Sequence, residues 1–457
     1  MNPSLVSADL DRRFVLHPFS ALADHARSGP RRMMVSGSGT TLTDDHGRTY
    51  LDAMAGLWCV NVGYGRPELA DAMRDQALKL PYYHGFSSMA TDVPAHLAER
   101  IISHAPNAMS KVFFGLSGSD ANDTQIKIVR RYNNLLGRPE KKKIISRQRG
   151  YHGVSLASAS LTGLEGVHAT FDLPLDFVRH VSAPSRLWES TPDESDAQFS
   201  ARLAAELDAL IEAEGPETVG AFIAEPIQAA GGVIVPPDGY FAAISEVLRR
   251  HDVLLIADEV VCGFGRLGRW FGSEEFGIEP DLITVAKGLT SAYFPLSGTI
   301  VSERVWEVLA DDRQGSPFGH GYTYTAHPIA AAVGMANLDV IERDGLFEQA
   351  IARGERLRGA LHEAFDDHPL VGEVRGRGLV AAVEFVAGQD PPQRFDPLGS
   401  AAAAVTAECL DRGVITRALP AGDSISFSPP FVVTEQEIDE IVAVTKEAVD
   451  VVAATVL

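Results

Sequence analysis

The sequence is poor in cysteine and has no long apolar run. Its three cysteines, Cys59, Cys262 and Cys409, lie far apart in 457 residues and form no CxxC pair. This spacing excludes a disulfide scaffold and a cysteine-based zinc or redox motif, and it favours a reducing compartment. No run of 18 apolar residues occurs, and the N-terminal sequence MNPSLVSADLDRRF has acids and arginines where a signal peptide requires apolar residues. We therefore expect a cytoplasmic protein.

Positive charge is also scarce. Against 61 Asp and Glu residues there are only 40 Lys and Arg, so the formal net charge is −21. A chain of this sign repels phosphate backbones and anionic lipid surfaces, and neither nucleic acid nor a membrane is expected as a partner. With 45% hydrophobic and 22% charged residues, the composition is that of a folded globular protein. At roughly 150 residues per domain, the length allows two or three domains.

Three common motifs are missing or out of context. Leu254–Glu259 resembles a Walker B strand, but no GxxxxGK[ST] loop is present to hold a triphosphate. Gly263-Phe-Gly265-Arg-Leu-Gly268 matches the dinucleotide fingerprint, yet four residues separate it from the preceding strand and Trp270–Ser273 does not read as a helix start. We interpret it as a tight loop that allows close backbone approach. His320 and His327 fit no HExxH or other paired-ligand motif, and we predict no metal site.

The region from about residue 110 to 300 alternates short β-branched runs with longer helical patterns. This alternation is typical of βαβ units around a mainly parallel sheet. In one of the helical patterns, Leu203, Leu207, Leu210 and Ile211 form an apolar stripe that should cover the sheet. The seven predicted strands are Lys111–Phe114, Lys143–Ser146, Phe177–Val181, Val219–Ala224, Val253–Ala257, Leu282–Val285 and Leu296–Val301.

The last third of the chain has a different pattern, which predicts a second, α+β domain. A final helix should begin after Thr434, because Thr434 and Glu437 have the spacing of a capping box. We expect Ser185–Asp196 and Gly388–Pro397 to be surface loops, because they are polar or rich in glycine and proline. The other predicted elements of this part are helices near Pro328–Ile341 and Gly345–Phe365 and strands near Arg377–Phe385 and Ser424–Phe427.

Lys287 and Asp258 are the first candidates for catalysis. Lys287 directly follows the apolar strand Leu282–Val285, and a partly buried lysine has a lowered pKa and a free amine that can form a Schiff base with a carbonyl. Asp258 ends the preceding strand 29 residues earlier, so both should reach the ligand-binding edge of the sheet. A buried carboxylate needs a partner, and the pyridinium nitrogen of pyridoxal phosphate suits this geometry. A surface lysine and a capping aspartate remain the alternatives.

A candidate phosphate cradle lies at another predicted strand-to-helix transition. Gly115-Leu-Ser117-Gly118-Ser119-Asp120 is followed by the helical pattern of Ile126, Val129 and Leu136. Backbone N–H groups at a helix N-terminus, together with the hydroxyls of Ser117 and Ser119, favour an anion. The alternative for Asp120 is a plain helix-capping role.

Together these residues resemble class III pyridoxal-phosphate aminotransferases of fold type I, in particular the amine:pyruvate or ω-transaminase branch. The resemblance covers nearly the whole chain. It implies an α/β fold with a large domain, whose mainly parallel seven-stranded sheet is covered by helices, and a smaller α+β domain built from both chain ends. The implied division is 1–60 (N-terminal segment of the small domain and substrate pocket), 61–325 (large cofactor-binding domain) and 326–457 (C-terminal small domain). The matching blocks are Gly56–Gly65, Ser117–Asn122, Tyr151–Gly153, Glu225–Gln228, Asp258–Arg266, Ala286–Gly288 and Gly321–Pro328.

The resemblance also implies roles for individual residues. Lys287 would bind the cofactor aldehyde and, once released, move the proton between the substrate Cα and the cofactor C4′. Asp258 would keep the pyridine nitrogen protonated, while Tyr151 and Val260 would enclose the ring. Thr323 would reach the phosphate of the partner subunit's site, which implies a homodimer with sites at the subunit interface. The remaining cofactor-binding residues implied are Ser117, Gly118, Ser119, His152, Glu225, Gln228 and Tyr322.

On the substrate side, the resemblance implies an apolar pocket for the amine. Arg417 would swing in to bind an acceptor carboxylate and out when an apolar amine is bound. The alternatives are core packing for the aromatic residues and a surface ion pair for Arg417. The implied substrate-binding residues are Phe19, Leu57, Trp58, Phe86, Tyr151, Ala230 and Arg417.

The expected reaction is amino transfer from a primary amine or ω-amino acid to pyruvate, by a ping-pong cycle through pyridoxamine phosphate. Taurine, β-alanine and putrescine remain open as donors. An aminomutase or decarboxylase of the same fold is the nearest alternative. A nicotinamide oxidoreductase rests on Gly263–Gly268 alone, and a non-catalytic binding module requires an idle Lys287.

Overall fold

A seven-stranded sheet forms the centre of the computed structural model, which describes residues 3–106, 108–311 and 315–456. All seven predicted strands are confirmed. Six of them run in the same direction, and Ser297–Ser302 runs antiparallel to both of its neighbours. The spatial order is Met109–Gly115, Ser297–Ser302, Leu282–Val285, Leu254–Asp258, Val219–Ala224, Lys143–Arg147 and Val178–Val181.

Helices cover both faces of this sheet. In the strand Val219–Ala224, every residue is buried. Phe222 packs with the helices on one face and Ile223 with those on the other, which explains why the strand is apolar throughout. The predicted stripe from Leu203 to Ile211 lies on the helix Asp196–Glu214 and packs as expected. The helices of this part are Pro67–Lys79, Asp92–His104, Gly118–Leu135, Leu156–Leu161, Glu165–His168, Arg186–Glu189, Asp196–Glu214, Tyr240–Arg250, Gly272–Phe276 and Glu303–Ala310, with 3-10 turns at Phe86–Ser88 and Lys287–Leu289.

The two ends of the chain meet in a smaller α+β region. Val414–Ile415 pairs in parallel with Thr49–Asp52, which joins the C-terminal part to the N-terminal strands Met34–Ser38 and Thr41–Asp44. A second sheet has the order Val371–Arg377, Val380–Phe385, Ser424–Phe427 and Arg417–Ala418, and a small hairpin pairs Gly388–Gln389 with Pro392–Gln393. The helices here are Pro3–Phe14, Leu22–Ser28, Ala55–Trp58, Pro328–Arg343, Leu346–Phe365, Ser400–Asp411 and Glu435–Val456.

The final helix begins as its sequence predicts. Thr434 Oγ1 accepts a hydrogen bond from the Glu437 backbone N–H at 3.2 Å, and Glu437 Oε2 accepts one from the Thr434 N–H at 2.7 Å. The expectation of a plain surface loop at Ser185–Asp196 is wrong, because it contains a short helix and Trp188 Nε1 donates to Glu384 Oε1 at 2.7 Å. This hydrogen bond ties the segment to the smaller region.

The surroundings of the glycine loop Gly263–Gly268 differ from prediction in one respect and agree with it in another. A short helix, Gly272–Phe276, does begin after this loop, contrary to prediction. Gly265 has a φ of 102°, and a Cβ there would lie 2.6 Å from Phe347 on the helix Leu346–Phe365. The glycines therefore permit close packing between two parts of the chain, as the tight-loop interpretation predicts. None of the helices in the described ranges has the length and low polarity needed to cross a bilayer.

Candidate active site

A cavity of about 360 Å³ lies at the carboxyl edge of the central sheet. It is reached by the ends of the strands Leu254–Asp258 and Leu282–Val285 and by the start of the helix Gly118–Leu135. This is the edge at which open α/β sheets bind ligands. The predicted site residues that line it are Leu57, Ser117, Gly118, Ser119, Tyr151, His152, Asp258, Val260 and Lys287.

Lys287 has the properties of a reactive amine. Its backbone φ of 43° is in the left-handed region, which is uncommon outside glycine and frequent where a function constrains the backbone. Among the described residues, its Nζ has no hydrogen bond or ion pair, and it lies 5.1 Å from the centre of the Trp58 ring. Burial lowers the pKa of Lys287, although the nearby carboxylates of Asp258 and Glu225 oppose this effect. The amine is therefore available to attack a carbonyl.

Asp258 is held by three donors. Its Oδ2 accepts hydrogen bonds from His152 Nδ1 at 2.8 Å and from Asn122 Nδ2 at 2.9 Å, and its Oδ1 accepts one from the Val260 N–H at 3.1 Å. The residue is only 3% exposed, so these contacts are what allows a carboxylate at this position. Because Oδ1 has one donor and can accept another, it retains capacity for the N–H of a ligand ring.

Asn122 is a site residue to which the sequence analysis assigned no role. Its Nδ2 also donates to the His152 carbonyl at 2.7 Å, and its Oδ1 accepts from Thr284 Oγ1 at 2.7 Å. Gln125 Nε2 donates to the same hydroxyl at 3.2 Å, and all of these side chains are buried. The hydrogen bonds fix the orientation of Asp258. A signal for this polar support was present in the sequence. It is the run of polar residues on the buried face of one helix, Asn122, Thr124 and Gln125.

The start of the helix Gly118–Leu135 is suited to an anion. Ser117 Oγ and the Asp120 carboxylate form a capping box, so Asp120 has the capping role that was its alternative interpretation. The backbone N–H groups of Gly118 and Ser119 have no acceptor among the described residues and belong to the first helical turn. A Cβ at Gly118 would lie 3.1 Å from Val260, so glycine keeps this approach open.

Glu225 and Gln228 lie behind the cavity wall. Glu225 Oε1 accepts from the Tyr151 N–H at 3.0 Å and Oε2 accepts from the Ala229 N–H at 3.1 Å, while burial raises the pKa of this carboxyl. Gln228 is fully buried and does not line the cavity. Its Nε2 donates to the Gln148 carbonyl at 2.9 Å, and its Oε1 has no partner among the described residues. Glu225 therefore positions the Tyr151 backbone.

Trp58, Ala230 and Arg417 lie next to the cavity. Trp58 is 3% exposed and shares an apolar cluster with Ala230 and Tyr151. The Arg417 Cζ lies 5.1 Å from the Trp58 ring centre, so the ring contacts both Arg417 and Lys287. No described residue forms a hydrogen bond or ion pair with the Arg417 guanidinium, and burial lowers its pKa. The surface ion pair that was its alternative role is absent from the described part of the chain.

Four predicted residues lie away from this cavity within one chain. Phe19 is 67% exposed and Phe86 is 46% exposed, so core packing is wrong for both. Thr323 is exposed, and its carbonyl accepts from Tyr82 Oη at 2.7 Å. Tyr322 Oη donates to the Asp120 carbonyl at 3.1 Å, which places the Tyr322–Thr323 segment beside the start of the candidate phosphate-binding helix.

The residues present fit a flat, anionic aldehyde cofactor. One cavity is surrounded by the four groups that such a cofactor needs. These are the unpartnered amine of Lys287, the Asp258 carboxylate with its spare acceptor capacity, the Tyr151 ring and the two unpaired backbone N–H groups of the Gly118–Ser119 turn. When bound, pyridoxal phosphate supplies an aldehyde that takes up an amino group and a ring that withdraws negative charge from the substrate Cα. Lys287, Asp258 and the Gly118–Ser119 turn are the residues that would hold it.

The chain belongs to the class III aminotransferases, because its residues 23–449 match the model of that family. It is 53% identical over 446 residues to an uncharacterized aminotransferase of Sinorhizobium fredii, covering 97% of this chain and 95% of that protein. Diaminobutyrate–2-oxoglutarate transaminase of Halomonas elongata is 50% identical over 446 residues, with the same coverage. Putrescine–pyruvate aminotransferase of Pseudomonas aeruginosa is 43% identical over 448 residues, covering 98% and 96%.

Solved structures agree with this assignment. The omega transaminase from Pseudomonas jessenii in complex with PMP is 45% identical, with a TM-score of 0.95 and coverage of 98% of both chains. A thermostable omega transaminase variant, W58M/F86L/R417L, engineered for asymmetric synthesis of enantiopure bulky amines, is also 45% identical, with a TM-score of 0.96 and coverage of 99% and 100%. The fold is therefore that of a fold type I transferase, and the cofactor is pyridoxal phosphate.

Proposed function

We propose that this aminotransferase transfers an amino group from a primary amine or an ω-amino acid to pyruvate, which becomes alanine. Both half-reactions would use one site, where Lys287, Asp258 and the Gly118–Ser119 turn would hold pyridoxal phosphate, and the bound cofactor would supply the aldehyde that carries the amino group from donor to acceptor. The observation that carries this proposal is the unpaired guanidinium of Arg417 beside Trp58, on the ring that Lys287 also contacts.

Arg417 is suited to bind a carboxylate in one half-reaction and to release it before the other. Its planar fork matches a carboxylate in two hydrogen bonds, and partial burial strengthens that pairing. Since no described residue competes for the guanidinium, an acceptor carboxylate can take it in one half-reaction and leave it in the other. An α-keto acid bound in this way presents its carbonyl, one bond from the carboxylate, toward the cofactor end of the cavity.

The charge of the cavity favours pyruvate over a dicarboxylate acceptor. In the described part of the chain, no lysine or arginine except Lys287 lines the cavity wall, and Arg417 lies beside it. A second carboxylate, as in 2-oxoglutarate, would need its own cation when desolvated. The Halomonas elongata relative is named for 2-oxoglutarate, so this acceptor is the competing candidate.

The apolar residues beside the cavity favour an amine donor that has no carboxylate beside the amino group. Leu57 and Tyr151 line the cavity, and Trp58 and Ala230 pack beside it. The engineered omega transaminase for bulky amines carries substitutions at a tryptophan, a phenylalanine and an arginine, W58M, F86L and R417L. This chain has Trp58, Phe86 and Arg417 at the same numbers. We infer that these side chains limit the size of the amine.

In this proposal each residue that surrounds the cofactor has its own role in the reaction. Lys287 binds the cofactor aldehyde and, once released, takes the proton from the substrate Cα and returns it at the cofactor C4′. Asp258 holds the ring nitrogen in its protonated state, with His152 and Asn122 supporting the carboxylate. The Gly118–Ser119 turn with Ser117 would hold the phosphate. Gln228 lies behind the cavity wall, so only its unpartnered Oε1 would act near the 3-oxygen in this proposal. Tyr151 and Val260 keep the ring in plane.

A homodimer completes the site in this proposal. A Cβ at Gly321 would lie 3.1 Å from the Phe86 ring, so Phe86 and the Tyr322–Thr323 segment form one exposed patch. A second copy seated on that patch would receive Thr323 at its phosphate and Phe86 at its substrate pocket. Phe19 is also exposed and is proposed to line the substrate pocket. We also propose the domain boundaries 1–60, 61–325 and 326–457. We propose a cytoplasmic location as well.

Separate half-reactions test the proposed function. The enzyme is first converted by 1-phenylethylamine, β-alanine, taurine or putrescine, and loss of the aldehyde-form absorbance is followed. The amino form is then mixed with pyruvate or 2-oxoglutarate, and alanine or glutamate is quantified. We expect alanine to form faster. Faster glutamate formation would replace pyruvate by 2-oxoglutarate as the acceptor. Repeated turnover of the amine without any keto acid would indicate an aminomutase, and release of carbon dioxide would indicate a decarboxylase.

A further inference from the structure

A second cluster of chemically reactive side chains lies in the N-terminal arm, outside the active-site cavity. Asp11 lies on the helix Pro3–Phe14, His17 on the connection that follows it, and His25 on the helix Leu22–Ser28. His17 Nε2 lies 2.9 Å from Asp11 Oδ1 and 3.0 Å from Oδ2, and His25 Nε2 lies 3.4 Å from Oδ1. All three donor atoms lie within 4.8 Å of one another.

Hydrogen bonds within the cluster do not satisfy all of its atoms. His25 Nε2 is buried and has no hydrogen-bond partner among the described residues. The two imidazole rings lie side by side, with centroids 4.1 Å apart, and both direct Nε2 toward the same carboxylate. A group placed between the three donor atoms would satisfy His25 and share the negative charge of Asp11.

We propose that Asp11, His17 and His25 bind one divalent transition-metal ion, of the class of Zn²⁺ or Co²⁺. A tetrahedral zinc ion, with ligand bonds of about 2.0–2.2 Å, needs donor atoms about 3.3–3.6 Å apart. The distances in the cluster, from 2.9 Å to at most 4.8 Å, reach that geometry with small side-chain shifts. Two imidazoles and one carboxylate favour borderline metals over Mg²⁺ or Ca²⁺, which prefer oxygen ligands.

The surroundings agree with a three-ligand site completed by water. The side chains of His17, Asp11 and His25 are 30%, 18% and 11% exposed, so solvent can reach a fourth coordination position. Asp9, the acid closest in sequence to Asp11, is paired with Arg12 and Arg13 and does not compete. The ligand spacings of six and eight residues match no helical motif, which is why the sequence predicted no metal site.

The proposed ion would connect the two helices of the arm. It would also hold the intervening segment, which carries Phe19 with a φ of 51°. The placement of Phe19 at a substrate pocket rests on the proposed function, whereas the metal site does not. Metal binding and amino transfer are therefore tested separately.

The test is a metal titration of the holoenzyme after dialysis against a chelator. Co²⁺ is added, and the visible bands of four-coordinate cobalt, which lie at longer wavelength than the cofactor band, are followed. Zn²⁺ is then used to displace it. We expect one ion per chain, and at least about tenfold weaker binding in both Asp11→Asn and His25→Ala. Retained cofactor absorbance and circular dichroism show that each variant is folded.

An aspartate–histidine pair elsewhere provides the matched control. Asp45 and His46 also approach each other, at 3.8 Å, but the described residues supply no third ligand there. The double variant Asp45→Asn/His46→Ala removes the same residue types and should bind cobalt like the parent. The proposal is overturned if the parent shows no four-coordinate cobalt spectrum, if the Asp11 and His25 variants bind like the parent, or if the control variant loses binding equally.

Discussion

The cofactor end and the substrate end of the candidate site differ in how completely one chain builds them. At the cofactor end, Asp258, Asn122 and His152 are buried and hydrogen-bonded to one another. At the substrate end, Arg417 has no described polar partner, and Phe86 is exposed. Folding of a single chain therefore preorganises the cofactor end, whereas the substrate end has polar and apolar groups left for a substrate or a second chain to contact.

The largest expected effect concerns the amine at the cofactor end. Replacing Lys287 by alanine should lower turnover by about 10⁴-fold or more, because both the covalent attachment and the proton transfer lose their group. Steady-state kinetics and the borohydride-sensitive visible band measure this loss. Lys127→Ala, which removes an amine outside the cavity wall, is the control. Normal turnover in Lys287→Ala would contradict the central assignment.

Asn122 tests whether the preorganisation of Asp258 matters for the reaction. Asn122→Ala should lower kcat by roughly 10- to 100-fold, because Asp258 loses a donor and the Thr284 hydroxyl loses its acceptor. The control is Asn133→Ala, another buried asparagine on the same helix, which donates to the Val129 carbonyl. Both variants should lose stability, but only Asn122→Ala should also change the pH dependence of the cofactor absorbance. Equal kcat values for the two would refute the positioning role.

Substitution of Arg417 tests the role of the substrate end in binding the acceptor. Arg417→Ala should raise KM for pyruvate by roughly 10- to 100-fold, which is the loss of a charge-assisted pair, and should leave the amine half-reaction nearly unchanged. Each half-reaction is measured by stopped-flow absorbance. Arg412→Ala removes a guanidinium that pairs with Glu408 on the surface and serves as the control. An equal loss in both half-reactions would contradict a role that is specific for the acceptor.

Mixed dimers test whether the second chain supplies Thr323. Thr323→Ala should weaken cofactor affinity by several-fold, about the effect of one hydrogen bond. When Thr323→Ala and Lys287→Ala chains are mixed and refolded together, hybrid dimers contain one site with an intact Lys287 and, from the other chain, an intact Thr323. Turnover at low cofactor concentration should therefore exceed the sum of the separate variants. No gain on mixing would place Thr323 outside the partner's site.

The smallest expected effect is on the pH dependence of cofactor attachment. Because burial lowers the pKa of Lys287, its neutral amine exists at lower pH than that of an ordinary lysine, whose pKa is 10.5. The rate at which the cofactor-free protein binds pyridoxal phosphate should therefore rise with pH and level off below pH 10.5. The charge of Arg417 adds to this lowering, so Arg417→Ala should move the profile to higher pH. A midpoint at or above 10.5 in the parent would contradict the buried amine.

The sequence predicted the parts of the fold that depend on local patterns. Buried strands such as Val219–Ala224 are continuous apolar runs, and Thr434 and Glu437 have the spacing of a capping box. The strand Val371–Arg377 was not predicted, because most of its residues are only partly buried and its composition is polar. The start at Gly272 was missed because its N–H groups are accepted by Glu259, which is distant in the chain, and by Glu274, rather than by a preceding serine or threonine.

The candidate site also has features that local sequence patterns predicted and features that they missed. Lys287, Asp258 and the Gly118–Ser119 turn were predicted, because each follows a strand and strand ends meet at one edge. Three features of the site were not predicted. They are the support of Asp258 by Asn122, the burial of Gln228 away from the cavity, and the exposure of Phe19 and Phe86. These features depend on contacts between residues that are distant in the chain, such as the 136 positions between Asn122 and Asp258.

The sequence itself determined the positions of the strands along the chain, the capping box at Thr434 and the chemistry of the Lys287–Asp258 pair, since each depends on residue type and short-range spacing. Only the tertiary structure decided which polar groups have partners and which are left without one. The partnered Asp258, the unpaired Arg417 guanidinium and the approach of His25 to Asp11 all arise from packing between separate segments. Short-range patterns carry no information about such contacts, because burial and hydrogen bonding depend on every segment that surrounds a group.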